Sequence, residues 1–280
     1  MADRPAPRKR TVHHLLVQRT ERLSPHMIRV VLGGAGFATV VNNGFTDRYV
    51  KLLFGQPSVT YPEPYDAEAI RRDFPREQWP TTRTYTVRRC DSEARELTID
   101  FVYHGDEGYA GPWAANAKPG DPMNLMGPSG AYAPSADADW HLLVGDESAL
   151  PAIGSAIEAL PAGVPARAFI LVHGEADEQK FDTAADLDLT WLHVDSGASG
   201  ADLVAAVRAL EFLPGAAQAF VHGEAGFVAE LRGCLGKERG IGKDLLSISG
   251  YWRLGKNEDG WQAEKRETRI REEAEAAARA

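Results

Sequence analysis

The sequence predicts two domains of different classes, an antiparallel β-barrel followed by an α/β domain with a parallel sheet, and a helix at the C-terminal end. The chain has 280 residues, of which 44% are hydrophobic and 25% charged, a composition typical of globular proteins. A chain of this length can form two hydrophobic cores. Strand signals fill the first half, whereas short apolar runs alternate with helical patterns in the second half. We therefore place the domains at residues 1–135, 136–255 and 256–280.

Five segments of the first half are rich in β-branched and aromatic residues, with clusters of Gly, Pro, Asn and Asp between them. Such a pattern is typical of antiparallel strands joined by turns. Between the third and fourth segments, Pro57–Pro80 carries five prolines and many charges, which predicts an excursion from the barrel. The predicted strands are Val12–Gln18, Met27–Leu32, Tyr49–Phe54, Thr82–Arg88 and Leu97–Tyr103.

Strands that alternate with helices, as they do after Pro134, imply a parallel sheet with helical crossovers. The region Asp259–Ala280 is rich in Ala, Glu and Arg, which predicts a helix after Gly255 that is either solvated or docked. The alternating segments are His141–Val144, Ala149–Leu160, Ala168–Val172, Leu189–Val194, Ala201–Leu210, Ala219–Val221, Gly226–Leu235 and Leu245–Ile248.

Composition excludes several classes of partner. A net charge of −9 argues against nucleic acid, because phosphate contacts need clustered Lys and Arg. Two cysteines without a CxxC pattern predict a reducing compartment and no metal site, so any electron carrier has to be an organic cofactor. No apolar run approaches the roughly 18 residues of a membrane span, and Met1–Arg10 lacks the apolar core of a signal peptide. We expect a cytoplasmic protein without stable membrane association, either a monomer or a weak oligomer.

The densest polar segment of the first half is the strand from Arg83 to Arg88. Strand alternation places Arg83, Tyr85 and Val87 on one face and Thr84, Thr86 and Arg88 on the other. Arg can pair with a pyrophosphate, Tyr can stack beside a flavin ring, and Thr can bond to the ring edge. An ordinary barrel strand is about equally compatible with the same residues.

Three further segments combine turns with helix starts. His104 begins a glycine-rich turn that enters a short helix at Ala110, Gly111 and Trp113, where backbone amides can bind a diphosphate. In the second half, two turns follow predicted strands, at the strand ends where α/β sheets bind ligands. Their residues are Gly145, Asp146, Glu147 and Ser148 in the first turn and His222, Gly223 and Glu224 in the second. The sequence lacks the GxGxxG fingerprint, and a structural role for His222 is somewhat favoured over proton donation.

Taken together and in order, these segments resemble the siderophore-interacting protein family, the flavin-dependent ferric-siderophore reductases of the ferredoxin-reductase superfamily. The resemblance covers nearly the whole chain. One departure concerns Tyr109–Pro112, where the family pattern Pro-Ala-Ser-Arg is expected, so that a phosphate-binding hydroxyl is missing. The matching segments are Asp47–Leu52, Arg83–Arg88, His104–Ala114, Pro119–Asp121, Gly145–Ile153 and Gly250–Arg253.

The resemblance implies that FAD is held by Arg83, Tyr85, Thr86, His104 and the backbone near Ala110 and Gly111. It implies that the turn Gly145–Ser148 meets NAD(P)H. By the same resemblance, Lys51 and Arg253 would form the positively charged side of the pocket that binds an anionic ferric siderophore. Lys51 could instead be an ordinary outward-facing lysine of a barrel strand.

The expected activity is reduction of a ferric siderophore by NAD(P)H through FAD, which releases Fe(II). Two alternatives remain: a general NAD(P)H-dependent flavin or ferredoxin reductase of the same fold, and a siderophore-binding protein without turnover. The sequence does not decide between NADH and NADPH, since Arg167, Lys180 and Arg232 are all possible partners of a 2′-phosphate.

Overall fold

The computed structural model describes residues 11–63, 65–257, 260–261, 263–267 and 270–271. By its internal contacts the chain divides into two compact units, which we describe separately. The first comprises Met1–Ala133 with Gly154–Ala159, and the second comprises Pro134–Ile153 with Leu160–Ala280.

The first unit is a closed antiparallel barrel, as predicted, with the strand order β1-β2-β5-β4-β3-β6. The sequence predicts five of its strands. The sixth is not predicted, because its apolar residues are few and are interrupted by polar ones. It begins directly after the turn signal Lys118–Asp121 and includes most of Gly127–Gly130, whose glycine and proline also favour a turn. The strands are β1 (Val12–Ser24), β2 (Met27–Gly33), β3 (Tyr49–Phe54), β4 (Thr81–Asp91), β5 (Glu96–Val102) and β6 (Pro122–Ser129).

Side chains along β3 alternate between the barrel core and the outer face of the barrel. Val50 and Leu52 are fully buried in the barrel core, whereas Tyr49 and Lys51 lie on the opposite face. Burial of the inward set supplies most of the stabilisation, at about 25 cal/mol per Å² of apolar surface. The outward face of β3 is therefore available for polar residues.

Two short helices complete this unit, α1 (Ala67–Asp73) and α2 (Ala110–Asn116). The proline-rich excursion contains α1, which is capped by the Asp66 carboxylate at 2.8 Å from the amide nitrogen of Glu68. Further along, the Trp79 indole donates to the Phe74 carbonyl at 3.0 Å. The excursion is thus a locally folded segment with its own hydrogen bonds.

The second unit contains a five-stranded parallel sheet in the order β11-β10-β7-β8-β9, which confirms the predicted α/β class. The order reverses between β7 and β10, and ligands bind at such switch points in open α/β sheets. The strands are β7 (Trp140–Asp146), β8 (Pro165–Val172), β9 (Asp186–His193), β10 (Ala217–Glu224) and β11 (Leu246–Trp252), and the helices are α4 (Gly200–Ala209) and α5 (Ala225–Gly233). The helix α3 (Leu150–Glu158) follows β7, and its residues from Gly154 onward are counted with the first unit.

The predicted C-terminal helix is present in residues 260–261, 263–267 and 270–271, and the rest of that prediction lies outside the described residues. The helix docks on its own unit. Trp261 is buried, and the Lys265 ammonium donates to the Gly250 carbonyl of β11 at 3.0 Å. Among the described residues, no helix combines the length and the apolar character needed to cross a membrane.

Candidate functional site

The outward face of β3 and β4 brings two predicted site residues together. Lys51 and Thr84 are directly paired across these antiparallel strands, and Leu52 pairs with Arg83. Side chains of directly opposite residues lie on the same face, about 5 Å apart at Cβ. Thr84 is exposed and Lys51 is half-buried, so the predicted flavin strand β4 has a cation of the neighbouring strand β3 beside it on this face.

Aromatic contacts join β4 to the glycine-rich turn. The Arg83 guanidinium lies 5.1 Å from the centre of the exposed Tyr109 ring. Tyr85 packs on Phe101 with ring centres 4.5 Å apart, and Phe101 in turn packs on Trp113 at 5.6 Å. The two segments that the sequence assigns to one cofactor are therefore neighbours in the barrel unit.

The start of α2 has the features of a phosphate cradle. Gly108 has a φ of 81°, a conformation that favours glycine, and Tyr109 at the helix start provides no side-chain cap. A Cβ on Gly111 would lie 3.2 Å from the Val102 carbonyl oxygen, so the helix approaches β5 closely. Ala110 is buried and His104 is exposed. With the Arg83 guanidinium over the Tyr109 ring, this donor set fits the phosphates of a flavin nucleotide.

The remaining predicted residues of β4 have other surroundings. Val87 is fully buried in the barrel core, and Thr86 is also buried. The Arg88 side chain is 11% exposed and forms a bidentate ion pair with Glu158, in which its two terminal nitrogens lie 2.7 and 2.5 Å from the carboxylate oxygens. Of the predicted residues of β4, Thr84 is thus the exposed one on the outward face, whereas Arg83 shares the face of Leu52 and is half-buried, and the guanidinium of Arg88 is engaged in an ion pair.

In the α/β unit, Asp146 is the centre of a buried hydrogen-bond network. Its Oδ2 accepts the amide of Glu224 and the indole N–H of Trp252, both at 2.8 Å. Its Oδ1 accepts the amide and the hydroxyl of Ser148, at 2.9 and 2.5 Å. Burial raises the pKa of Asp146, and these four donors oppose that shift. The carboxylate ties the ends of β7, β10 and β11 together.

The two glycines of these turns allow the strand ends to approach each other. A Cβ on Gly145 would lie 2.5 Å from the His222 carbonyl oxygen, and one on Gly223 would lie 2.6 Å from the Asp146 carboxylate. Gly223 also has a φ of 140°, which side chains rarely adopt. Packing of this unit therefore requires glycine at both positions, whatever ligand the turns bind.

His222 is buried beside Phe220, with ring centres 3.9 Å apart, and its Nε2 is hydrogen-bonded to the Ser247 hydroxyl at 3.0 Å. Burial, together with the cations Lys265 and Arg232, lowers the pKa of His222 to about 3. The ring is neutral at physiological pH, which supports a structural role over proton donation.

The other acids of these turns bond to backbone. Glu147 accepts the His173 amide, and Glu224 caps α5 by accepting the amides of Gly226 and Phe227. Trp252 is a residue that the sequence analysis did not assign, although it belongs to the segment that carries the resemblance. It is 40% exposed while its indole N–H is held by Asp146, so its ring is fixed at the strand ends.

Arg253 follows Trp252 at the end of β11. Its guanidinium is paired with Glu264 of the C-terminal helix at 3.1 Å and lies 5.9 Å from the Trp261 ring centre. Lys256 contacts the other oxygen of the same carboxylate. The Arg253 side chain is 47% exposed, which leaves part of its charge accessible.

Two family models together match most of the chain. The siderophore-interacting FAD-binding domain matches residues 16–132, and the siderophore-interacting protein domain matches residues 138–255.

Relatives support the same assignment. An uncharacterized protein of Mycobacterium tuberculosis is 45% identical over 92% of this chain and 96% of its own length. Ferric vibriobactin reductase ViuB of Vibrio cholerae is 31% identical, covering 88% of this chain and 91% of its own. An NADPH-dependent ferric-chelate reductase of Escherichia coli is 38% identical over 52% of this chain and 56% of its own.

Solved structures agree with the sequence relatives. A siderophore utilization protein from T. fusca has a TM-score of 0.77 at 36% identity, over 89% of this chain and 95% of that one. The siderophore-interacting protein SipS from Aeromonas hydrophila has a TM-score of 0.78 at 28% identity, over 94% and 100%. With family models that span both units, this chain belongs to the siderophore-interacting protein family.

Proposed function

We propose that this protein is an FAD-dependent reductase that uses NAD(P)H to reduce ferric siderophores in the cytoplasm, as a monomer or weak oligomer. The observation that carries the proposal is the cross-strand pairing of Lys51 with Thr84, next to Arg83. This pairing puts a cation on the same face of the barrel as Thr84, one of the residues proposed to contact the flavin. The names of the Vibrio and Escherichia relatives, both of which are ferric reductases, support the same activity.

In the barrel unit, Arg83 would pair with the FAD pyrophosphate, helped by the amides at the start of α2, while Thr84 and Tyr85 would contact the ring. When bound, FAD accepts a hydride as two electrons and passes electrons on singly. The protein's part is to place the ring against β4, beside the ammonium group of Lys51. No acid or base of the protein is needed for electron transfer to a chelated metal.

In the α/β unit, NAD(P)H would bind at the switch point between β7 and β10, against the backbone of Gly145–Ser148 and Gly223–Glu224. The side chains of Asp146 and Ser148 bond to each other and to neighbouring strands, so they position this backbone. We assign Asp146 as a positioning residue for that site.

The acceptor would be an anionic iron chelate, and the cations proposed to attract it are Lys51 in the barrel unit and Arg253 in the α/β unit. Cations at these positions concentrate a negative substrate locally, even on a protein whose net charge is −9. The neutral His222 ring supplies no charge to either ligand at physiological pH.

An anaerobic stopped-flow experiment tests the proposal. Purified protein should carry or take up FAD, be reduced by NADH or NADPH, and be reoxidised by ferric siderophores. Reoxidation that is faster with free flavin or ferredoxin than with any ferric chelate would favour a general reductase. A protein that neither carries nor takes up flavin yet binds ferric siderophore would be a binding protein, and the proposal would be wrong.

A further inference from the structure

We propose that this protein selects NADH over NADPH, and that the carboxylate of Asp195, reinforced by Glu175, is the group that discriminates. This inference rests on the proposed function and names its reductant. The proposed coenzyme differs from that of the Escherichia coli relative, which is named as NADPH-dependent.

The position of Asp195 follows from the sheet order. β8 and β9 lie beside β7 on the side away from β10 and β11. In doubly wound folds of this order, the adenosine ribose of a dinucleotide lies at the carboxyl end of the strand next to the first one, which is β8 here. The residues directly after β8 and β9 are therefore those that meet the ribose 2′ position.

Backbone and side-chain contacts place Asp195 at the end of β8. Its amide donates to the His173 carbonyl at 2.9 Å. A Cβ on Gly174 would come within 2.5 Å of Asp195 Oδ2, so the carboxylate lies directly against that glycine. Ser196 donates its hydroxyl to Asp195 Oδ1 at 3.1 Å, and the Asp195 side chain is exposed.

The surroundings add negative charge. The connections from β8 to β9 and from β9 to α4 contain five acidic residues and one lysine, Lys180. Glu175 follows Gly174 and is exposed, and Glu178 is paired with His193 at 2.9 Å. An acid at this place accepts a hydrogen bond from a ribose hydroxyl, whereas a 2′-phosphate is repelled by it.

The arginines that could offset this charge lie elsewhere. Arg167 is the third residue of β8, at its amino end, and pairs with Asp188 at 3.6 Å. Arg232 donates to the Ile248 carbonyl at 2.9 Å, on β11 at the other side of the sheet. Neither is placed to bind a phosphate at the end of β8.

The test compares both coenzymes on the FAD-loaded full chain, by anaerobic stopped-flow reduction. The wild type should favour NADH over NADPH by about tenfold or more in kcat/KM, since like charges in contact cost that much binding. Asp195→Ser removes the charge and keeps a hydroxyl. It should reduce the preference for NADH roughly three- to tenfold, because kcat/KM for NADPH rises while that for NADH changes little. Asp195→Asn provides a second variant if serine disturbs the turn.

Asp186→Ser is the matched control, because Asp186 is an exposed acid at the opposite end of the same strand. It changes the net charge equally and should leave the coenzyme ratio unchanged. An equal shift in both variants would show a general charge effect and overturn the assignment. A wild type that prefers NADPH, with that preference lost in Lys180→Ala, would also overturn it.

Calorimetric binding of adenosine 5′-monophosphate and adenosine 2′,5′-bisphosphate supplies a readout that does not depend on turnover. Tighter binding of the monophosphate, lost in Asp195→Ser, supports the inference even if no ferric chelate is reduced, in which case only the proposed function fails. Equal affinities for the two nucleotides, or binding of neither, would overturn the inference.

Discussion

The barrel strand β4 and the turn after β7 are both rich in polar residues, yet they use them in opposite ways. On β4, Thr84 is exposed beside Lys51, and Arg83 lies over the exposed Tyr109 ring. At the end of β7, Asp146 is buried, and its four hydrogen bonds are all to neighbouring groups of the same unit. A polar motif can therefore offer side chains to a ligand in one place and fix the backbone for a ligand in another.

The largest effect should come from breaking the network around Asp146. Asp146→Ala leaves four donors without their acceptor, two of them on other strands, and should lower the free energy of unfolding by roughly 3 kcal/mol or more. Urea unfolding followed by circular dichroism measures the loss. Thr84→Ala on the exposed side of β4 should change stability by less than about 0.5 kcal/mol. Equal losses of unfolding free energy in the two variants would contradict the different roles assigned to Asp146 and Thr84.

Arg83 provides the next largest effect, on the cofactor and not on the fold. Arg83→Ala should weaken FAD binding by about 1.5–3 kcal/mol, because a charge-assisted hydrogen bond to phosphate is lost. Fluorescence titration of the flavin-free protein measures the affinity. Arg89→Ala is the matched control, since Arg89 lies on the same strand, is exposed, and pairs with Asp91 at 3.0 Å. Unchanged affinity in Arg83→Ala would remove Arg83 from the site.

The pH dependence of stability tests whether His222, in the α/β unit, is a buried structural residue. The pKa of His222 is lowered from 6.5 to about 3, so between these values the unfolded chain binds a proton that the folded chain does not. Stability should therefore fall as the pH decreases through this window, by up to about 1.4 kcal/mol per pH unit from this residue. His222→Asn should have a shallower slope in urea unfolding at several pH values. An identical slope would show that other groups are responsible.

The smallest effects are expected at Lys51 and Arg253. Replacing either with Ala should raise KM for an anionic ferric chelate about fivefold, or about 1 kcal/mol, and less at high salt. The reduction of FAD by NAD(P)H should stay nearly unchanged, as expected for loss of substrate binding alone. A neutral chelate is the control. If the double variant slows both chelates equally, the acceptor binds elsewhere.

Several site features could be predicted because they depend on local pattern. Alternation along β4 separates Arg83 and Tyr85 from Thr84, and the turns at Gly145 and Gly223 follow from strands that end near a glycine. That Lys51 shares a face with Thr84 depends instead on the register of β3 against β4. Local pattern does not predict which polar side chains are held by partners in the folded protein and which remain available to a ligand. Arg88 has the same residue type as Arg83 and lies five positions later, yet it pairs with Glu158.

The sequence by itself determined the barrel, the parallel sheet, the C-terminal helix and the strand ends where ligands should bind, because periodicity and turn residues act over a few neighbouring positions. Only the tertiary structure decided which groups remain available there. Arg88 meets a partner 70 residues away, and Asp146 meets Trp252 across 106 residues. Asp195 reaches the end of β8 only because β9 is paired beside it. Such contacts depend on how strands are ordered in the sheet, and no local pattern encodes that order.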